Sequence, residues 1–115
     1  MPRDRSDLLL GTLEMMVLKT LAVSPTHGWG LSVRIEQITG GVFQINQGSL
    51  YPALQRMLRK GWIRSEWRSS EHNRRARYYL MTASGRHRLD QEMAEWAKVT
   101  GAVNQVLALE IPEGR

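Results

Sequence analysis

The sequence predicts a mainly α-helical domain of the α+β class, with a pair of β-strands inserted before its last helix. Apolar residues recur at helical spacing in four segments, which are residues 8–22, 29–39, 47–60 and 82–109. Two extended runs, at residues 63–68 and 77–81, separate the third and fourth segments. A chain of 115 residues supports one hydrophobic core, so we expect one globular unit.

The first two helices have clear ends in the sequence. One face of the first helix is apolar, and its members are Leu9, Leu13, Met16, Val17 and Leu21. Ser24-Pro25 ends this helix, and Gly40-Gly41 ends the second. The short run 42–45 that follows is expected to form a brief strand.

The third helix has the most distinct division into two faces. Its buried stripe is expected to consist of Leu50, Leu54, Met57 and Leu58. Asn46 and Ser49 are both suitable N-caps, and the sequence leaves that choice open. Pro52 is tolerated because it lies near the helix start, and Gly61 ends the helix.

An extended pair with a basic loop follows the third helix. Ile63, Ser65 and Trp67 alternate with charged residues, which predicts a half-buried strand that is followed by a polar loop at 69–76. Two helices, a third helix and a hairpin in this order give the winged helix-turn-helix layout. We therefore assign residues 1–81 to such a domain.

The last segment predicts a long C-terminal dimerisation helix over 82–110, with Thr82 as N-cap and a tail at 111–115. Its apolar seam steps by four and three residues, through Leu89, Met93, Trp96, Thr100, Val103 and Leu107. A helix of this length spans roughly 40 Å, more than the ~25 Å width of the preceding domain. Much of the seam would face water, so we expect the helices of two copies to pair as a homodimer.

The composition favours a polyanionic partner. Lys and Arg number 16 against 11 Asp and Glu, a formal net charge of +5, and the chain has no cysteine. These values indicate a cytoplasmic protein without disulfides. No stretch reaches the ~18 apolar residues of a membrane span, so no membrane partner is expected.

The chemical motifs of enzymes are missing or incomplete. Gly28-Trp29-Gly30 has no preceding strand of a dinucleotide site, and His87 with Asp90 lacks a third metal ligand at a recognisable spacing. No nucleophile–base pair or phosphate loop is evident. We therefore expect no catalytic residues, no metal and no cofactor.

Double-stranded DNA is the partner that the basic loop and the third helix predict together. Arginine in a hairpin tip suits phosphate, and glutamine, arginine, serine or tyrosine on a helix suits bases and phosphates. The alternative for each group is an ordinary solvated surface, and their adjacency favours a two-part DNA footprint. The candidate contacts are Gln47, Ser49, Tyr51, Pro52, Gln55, Arg56, His72, Asn73, Arg74, Arg75 and Arg77.

Trp96 on the seam allows two interpretations. It is either a packing anchor between subunits or, with its symmetry mate, the wall of an apolar slot for a small planar aromatic effector. The residues that could line such a slot are Leu9, Met15, Met16, Met93, Trp96 and Val99.

Three stretches resemble the PadR family of transcriptional regulators. They are residues 47–54 with Gly61-Trp62-Ile63, residues 27–30, and residues 73–80 with Thr82 and Gly85, within a resemblance that covers about 8–107. The resemblance implies a winged-helix homodimer that binds a pseudo-palindromic operator as a repressor. It maps DNA contacts onto Ser49, Tyr51 and the three loop arginines, and its short subgroup, with one C-terminal helix, includes members that bind flat aromatic compounds beside a tryptophan.

Two other functions remain open at this stage. One is a winged-helix module that docks proteins through its third helix, which the basic loop disfavours. The other is a small-molecule-binding protein whose contact with DNA is secondary.

Overall fold

The computed structural model describes the backbone of residues 5–114 and the side chains of residues 11–114. Within that range the chain forms four helices and one three-stranded sheet. The elements are α1 (Arg5–Val23), β1 (Thr26–His27), α2 (Gly28–Ile38), α3 (Gln47–Arg59), β2 (Ile63–Ser69), β3 (Arg75–Met81) and α4 (Ala83–Leu107). The predicted fold class, a mainly helical winged helix-turn-helix, is confirmed.

The sheet is antiparallel in the order β1-β3-β2, and its short strand is not where the sequence predicted it. The expected strand at 42–45 is wrong, because β1 occupies the free edge of β3 through the pairs Thr26↔Tyr79 and His27↔Tyr78. Residues 42–45 lie outside the sheet. Phe43 and Ile45 instead pack against the hydrophobic core.

The core lies between the first three helices and the base of the hairpin. Leu18, Leu31, Leu50, Leu54 and Met57 are fully buried there. The predicted apolar stripe of α3 is therefore confirmed, with Leu58 only half-buried at its margin. The predicted inward position of Trp67 is wrong, because the hairpin extends beyond the helices there and leaves this side chain 60% exposed.

Side chains that accept hydrogen bonds begin three of the helices. His27 Nδ1 accepts the Gly30 N–H at 3.0 Å at the start of α2. Asn46 Oδ1 accepts the Ser49 N–H at 2.8 Å, which identifies Asn46 as the N-cap of α3. The predicted cap of α4 is confirmed, since Thr82 Oγ1 accepts the Gly85 N–H at 3.0 Å.

The last helix leaves the body of the protein. α4 has 25 residues, and the molecule measures 63 × 28 × 24 Å along its principal axes. Only its first part packs on the body, where Leu89 is 1% exposed. From residue 101 to residue 107 every side chain is exposed. In the part of the chain that the structure describes, no helix combines the length and apolar character that a membrane span requires.

Candidate nucleic-acid interface

The outer face of α3 is polar and open to solvent. Leu50, Ala53 and Leu54 face the core, and the opposite side exposes Ser49, Tyr51, Pro52 and Gln55. Pro52 has no N–H to donate to the carbonyl of Gly48. Both residues lie on the exposed side, where water can satisfy that carbonyl. Four of the predicted contacts are thus presented on one continuous helix face.

Two contacts fix the N-terminal turns of α3 against α2. Gln47 Nε2 donates to the Ser32 hydroxyl at 2.9 Å. The Tyr51 ring lies over Gly28, so closely that a β-carbon on Gly28 would come within 2.7 Å of the tyrosine hydroxyl oxygen. The amide nitrogen of Gln47, a predicted DNA contact, is therefore hydrogen-bonded within the protein. Tyr51 is 43% exposed and is held in a defined position.

Arg56 points away from the outer face. Its Nε donates to Glu14 Oε1 on α1 at 3.2 Å, and its side chain is 31% exposed. Its Nη2 is buried without a hydrogen-bond partner among the described residues. This hydrogen bond links α3 to α1 and holds the Arg56 side chain away from the other predicted contacts.

The tip of the hairpin is a tight turn that exposes three predicted contacts. Ser70 N–H donates to the Arg74 carbonyl at 2.7 Å, and Asn73 N–H donates to the Ser70 carbonyl at 2.9 Å. Asn73 has φ of 57°, a left-handed conformation that asparagine tolerates better than most residues. His72, Asn73 and Arg74 are all exposed in or beside this turn.

The two faces of the hairpin differ in their charge balance. In the register of β2 and β3, Trp67 pairs with Arg77 and Ser69 with Arg75, on the same face as the pair Ser65↔Tyr79. This face, which we call the helix-side face, continues into the core through Tyr79. Among side chains 11–114, no carboxylate forms an ion pair with Arg74 at the turn or with the two helix-side arginines.

The opposite face of the hairpin, the back face, is internally neutralised. Glu66 Oε2 accepts from Arg64 at 3.1 Å, and Glu66 Oε1 accepts from Arg68 at 2.5 Å. The hydrogen bond from Arg68, and then that from Arg64, lowers the pKa of Glu66 below its ordinary value. The carboxylate is therefore ionised at neutral pH and offsets the charge of its two neighbours.

Tyr79 connects the hairpin to α3. Its ring is buried, and burial raises the pKa of its phenol while the positive charge of Arg77 opposes the rise. Tyr51 is close enough to contribute a smaller upward effect on that pKa. Arg77 lies with its guanidinium carbon 5.7 Å from the Tyr79 ring centroid and donates from Nε to the Ser65 hydroxyl at 2.8 Å. Tyr79 also lies in the same hydrophobic core as Leu50 and Leu54, so the helix-side face meets α3 at the core.

The exposed seam of α4 and a nearby cleft form a second surface. Met93, Trp96 and Val103 are 41%, 45% and 50% exposed. Thr100 is half-buried and its hydroxyl donates to the Trp96 carbonyl at 2.7 Å, whereas Leu107 is 75% exposed. Leu89 differs from the rest of the predicted seam because it belongs to the core of its own protomer.

A cleft of about 450 Å³ separates α1 from α4. Its lining residues are Gly11, Thr12, Met15, Glu92, Glu95, Trp96 and Val99. Three of the predicted slot residues, Met15, Trp96 and Val99, thus line one cavity. Met16 packs against the core and Met93 lies outside the lining. The side chain of Leu9, the remaining predicted residue, lies outside the described residues.

Within residues 11–114, no three His, Asp or Glu side chains come together as a metal-binding group. The arrangement instead offers an exposed polar helix beside a basic hairpin on a winged-helix scaffold. That combination defines the class of DNA-binding transcriptional regulators.

The family is shown by comparison with known proteins. The model of the PadR-like family of transcriptional regulators matches residues 17–91, so this chain belongs to that family. It is a DNA-binding transcriptional regulator and not an enzyme.

Two uncharacterized proteins are similar to this chain in sequence, and one of them is of similar length. A protein from Lysinibacillus sphaericus, described as uncharacterized protein X, is 30% identical over 95 residues, which are 83% of this chain and 87% of that protein. An uncharacterized 37.1 kDa protein in a transposon of Streptomyces fradiae is 36% identical over 90 residues, 78% of this chain but 24% of that protein.

Solved structures of regulators share the fold. A PadR-like transcriptional regulator from Bacillus cereus is 27% identical with a TM-score of 0.79, over 90% of this chain and 99% of that one. A PadR family regulator from Eggerthella lenta is 28% identical with a TM-score of 0.75, over 90% and 88%. A transcriptional regulator from Clostridium thermocellum is 26% identical with a TM-score of 0.77, over 86% and 96%.

Proposed function

We propose that this protein is a cytoplasmic repressor that binds a pseudo-palindromic DNA operator as a homodimer. The observation that carries the proposal is the adjacency of two features. The exposed face of α3 presents Ser49, Tyr51 and Gln55, and the neighbouring hairpin presents arginines that no carboxylate among side chains 11–114 neutralises. A helix in the major groove and a basic hairpin on the flanking backbone together suit duplex DNA.

The proposed contacts follow the geometry. Ser49, Tyr51, Pro52 and Gln55 face the groove, and His72, Asn73, Arg74, Arg75 and Arg77 approach the backbone. Gln47 orients α3 through Ser32 as well as lying at its exposed start. We give Arg56 a structural role, because its Nε is bonded to Glu14.

The homodimer is supported by the unpartnered seam of α4. Met93, Trp96, Val103 and Leu107 recur on one side of a helix that extends away from its own domain. Burying these side chains against a second copy removes apolar surface from water. Recognition of successive turns of the duplex requires the two α3 helices of such a dimer to lie about 34 Å apart.

The proposed function is tested by a gel-shift titration with the DNA upstream of the protein's own gene and with a duplex selected from a random library. Random competitor DNA at physiological salt is present throughout. We expect a discrete complex of two protomers per site that survives the competitor. If random competitor DNA displaced the protein from both duplexes, operator recognition would be contradicted. The remaining binding would then be nonspecific attraction to a basic surface.

The cleft between α1 and α4 supports an effector as a second part of the function. A planar aromatic compound would stack on Trp96 and contact Met15 and Val99. Glu92 is paired with Arg88 at 2.6 Å, whereas Glu95 has no such partner among side chains 11–114, so its carboxylate favours an effector with a positive charge. Binding there would shift α4 relative to α1 and thereby release DNA.

The effector site is tested by fluorescence titration with planar aromatic cations and matched neutral analogues. The chain has four tryptophans, so Trp96→Leu is compared with the unmodified protein in every titration. We expect quenching that the variant loses, stronger for cations, and a weaker complex with DNA when the compound is bound. Equal quenching of both proteins would contradict a site at Trp96.

A further inference from the structure

We propose that Trp67 is a DNA contact, and that it packs against the deoxyribose sugars of the backbone beside the groove that α3 enters. This inference rests on the proposed function and adds an apolar contact to a surface otherwise described by its arginines. It also assigns the helix-side face of the hairpin, rather than its back face, to the DNA.

Trp67 is exposed on the hairpin, and among the described residues no helix packs over its ring. Its side chain is 60% exposed on β2, although the same face of the strand is buried at Ile63. The hairpin extends beyond the helices at Trp67, so a large apolar ring is left in water. Covering this ring with a partner would remove apolar surface from water.

The surroundings of the Trp67 ring are positively charged. The Arg75 guanidinium lies 5.5 Å from the Trp67 ring centroid, and Arg77 pairs with Trp67 across the strands. Neither arginine has a carboxylate partner among side chains 11–114, whereas both back-face arginines are bonded to Glu66. The only strongly cationic face of the hairpin in this range is therefore the face that carries Trp67.

The face that carries Trp67 is continuous with the packing of α3. Trp67, Arg77 and Tyr79 share one face of the hairpin, and Tyr79 lies in the same hydrophobic core as Leu50 and Leu54 of α3. A duplex that contacts the outer face of α3 and the two arginines must pass over the Trp67 ring. Guanidinium groups bind the phosphates, and the ring is then placed to cover the apolar edges of the sugars between them.

This chemistry predicts a contribution to affinity that salt does not weaken. Phosphate contacts release counterions and make binding salt-dependent, whereas an apolar contact does not. Trp67→Ala and Arg75→Ala are therefore compared on the selected operator duplex, by anisotropy between about 50 and 200 mM salt. We expect Trp67→Ala to weaken binding about tenfold at every salt concentration with an unchanged slope, and Arg75→Ala to lower the slope by about one per protomer.

Trp29 provides the matched control. It is 59% exposed, but it lines a different cleft with Tyr78, which lies on the back face of the hairpin. Trp29→Ala should leave affinity within about twofold of the unmodified protein. Trp67→Phe keeps an aromatic ring and should retain most of the affinity, and thermal unfolding of each variant excludes a loss of fold.

Acrylamide quenching gives a second readout on the bound state. The component of fluorescence that Trp67→Phe removes should be accessible in the free protein and shielded once operator DNA is added. A folded Trp67→Ala variant that binds like the unmodified protein, or a Trp67 component that stays accessible in the complex, would overturn the inference while leaving the proposed function intact. Failure of the unmodified protein to bind any duplex would overturn both.

Discussion

Arg56 of α3, a predicted DNA contact, donates from Nε to Glu14 Oε1 of α1 across 3.2 Å and thereby links two helices of the body. The Glu14 side chain is 18% exposed and that of Arg56 is 31% exposed, which leaves this ion pair partly shielded from water. The pair adds a polar link between α3 and α1 to the apolar packing of Leu50, Leu54 and Met57.

Replacing Arg56 should therefore lower the free energy of unfolding more than it weakens specific binding to DNA. We expect Arg56→Met to lower the free energy of unfolding by about 1–3 kcal/mol, because Glu14 loses a charged hydrogen-bond donor. Urea unfolding measures this change. Glu14→Gln in the same background should cost little further, so the two changes should not be additive.

Arg59 supplies the control for Arg56, because it lies on the same helix and is exposed. Arg59→Met should leave unfolding unchanged within about 0.5 kcal/mol. If Arg56→Met were as stable as the parent but had lost sequence discrimination, Arg56 would be a base contact and the structural assignment would be wrong.

Gly28 controls the position of Tyr51. A β-carbon at Gly28 would come within 2.7 Å of the tyrosine hydroxyl oxygen, and the tyrosine ring, as a side chain, can move aside. We expect Gly28→Ala to change stability by less than about 1 kcal/mol, but to weaken operator binding about fivefold, the equivalent of one misplaced hydrogen bond. Paired unfolding and anisotropy titrations measure the two effects.

Gly101 provides the control for Gly28, since a β-carbon at Gly101 would meet nothing within 4 Å. Gly101→Ala should leave DNA affinity unchanged and stabilise α4 slightly. Similar affinities for the parent and for Gly28→Ala would mean that Tyr51 makes no contact that depends on its position.

The seam of α4 should tolerate no charge. We expect Val103→Asp to raise the dimer dissociation constant more than about tenfold, because the dimer would have to bury a carboxylate without a partner. Sedimentation equilibrium measures that constant. At about 100° per residue, Gln105 lies on the face opposite Trp96, so Gln105→Asp is the control and should leave the dimer intact. Equal behaviour of the two variants would contradict pairing through this seam.

The two faces of the hairpin should differ in their effect on salt dependence. Arg77→Ala removes a cation from the helix-side face and should lower the salt slope of binding by about one per protomer. Arg64→Ala removes a cation that already offsets Glu66 on the back face, and should leave the slope unchanged. If Arg64→Ala lowered the salt slope and Arg77→Ala did not, the back face of the hairpin would be the face that contacts DNA.

The sequence predicted the helices well because their apolar spacing reflects the core directly. The stripe of α3 and the cap at Thr82 were both readable from residue types. Features that depend on tertiary neighbours were not readable. The strand at Thr26–His27 exists because β3 offers a free edge, and nothing in two residues indicates that edge.

The residue types of the candidate site were readable from the sequence, whereas the surroundings of three side chains were not, for one physical cause. Alternation along β2 placed Trp67 inward, but the pattern does not show where the supporting helices end. Leu89 fitted the spacing of the seam although its turn of α4 packs on the body. Arg56 had the right residue type for DNA, and only the proximity of Glu14, 42 positions earlier, shows where its guanidinium lies.

Hydroxyl-radical footprinting on the selected operator tests the central claim most directly, since it reports which sugars the bound protein covers. Dimeric recognition by α3 and the hairpin predicts two protected half-sites related by a dyad, with centres about 10 base pairs apart. Trp67→Ala should remove protection only at the flanks that the hairpin covers. A single unbroken protected patch, or protection that does not repeat about a dyad, would contradict this account.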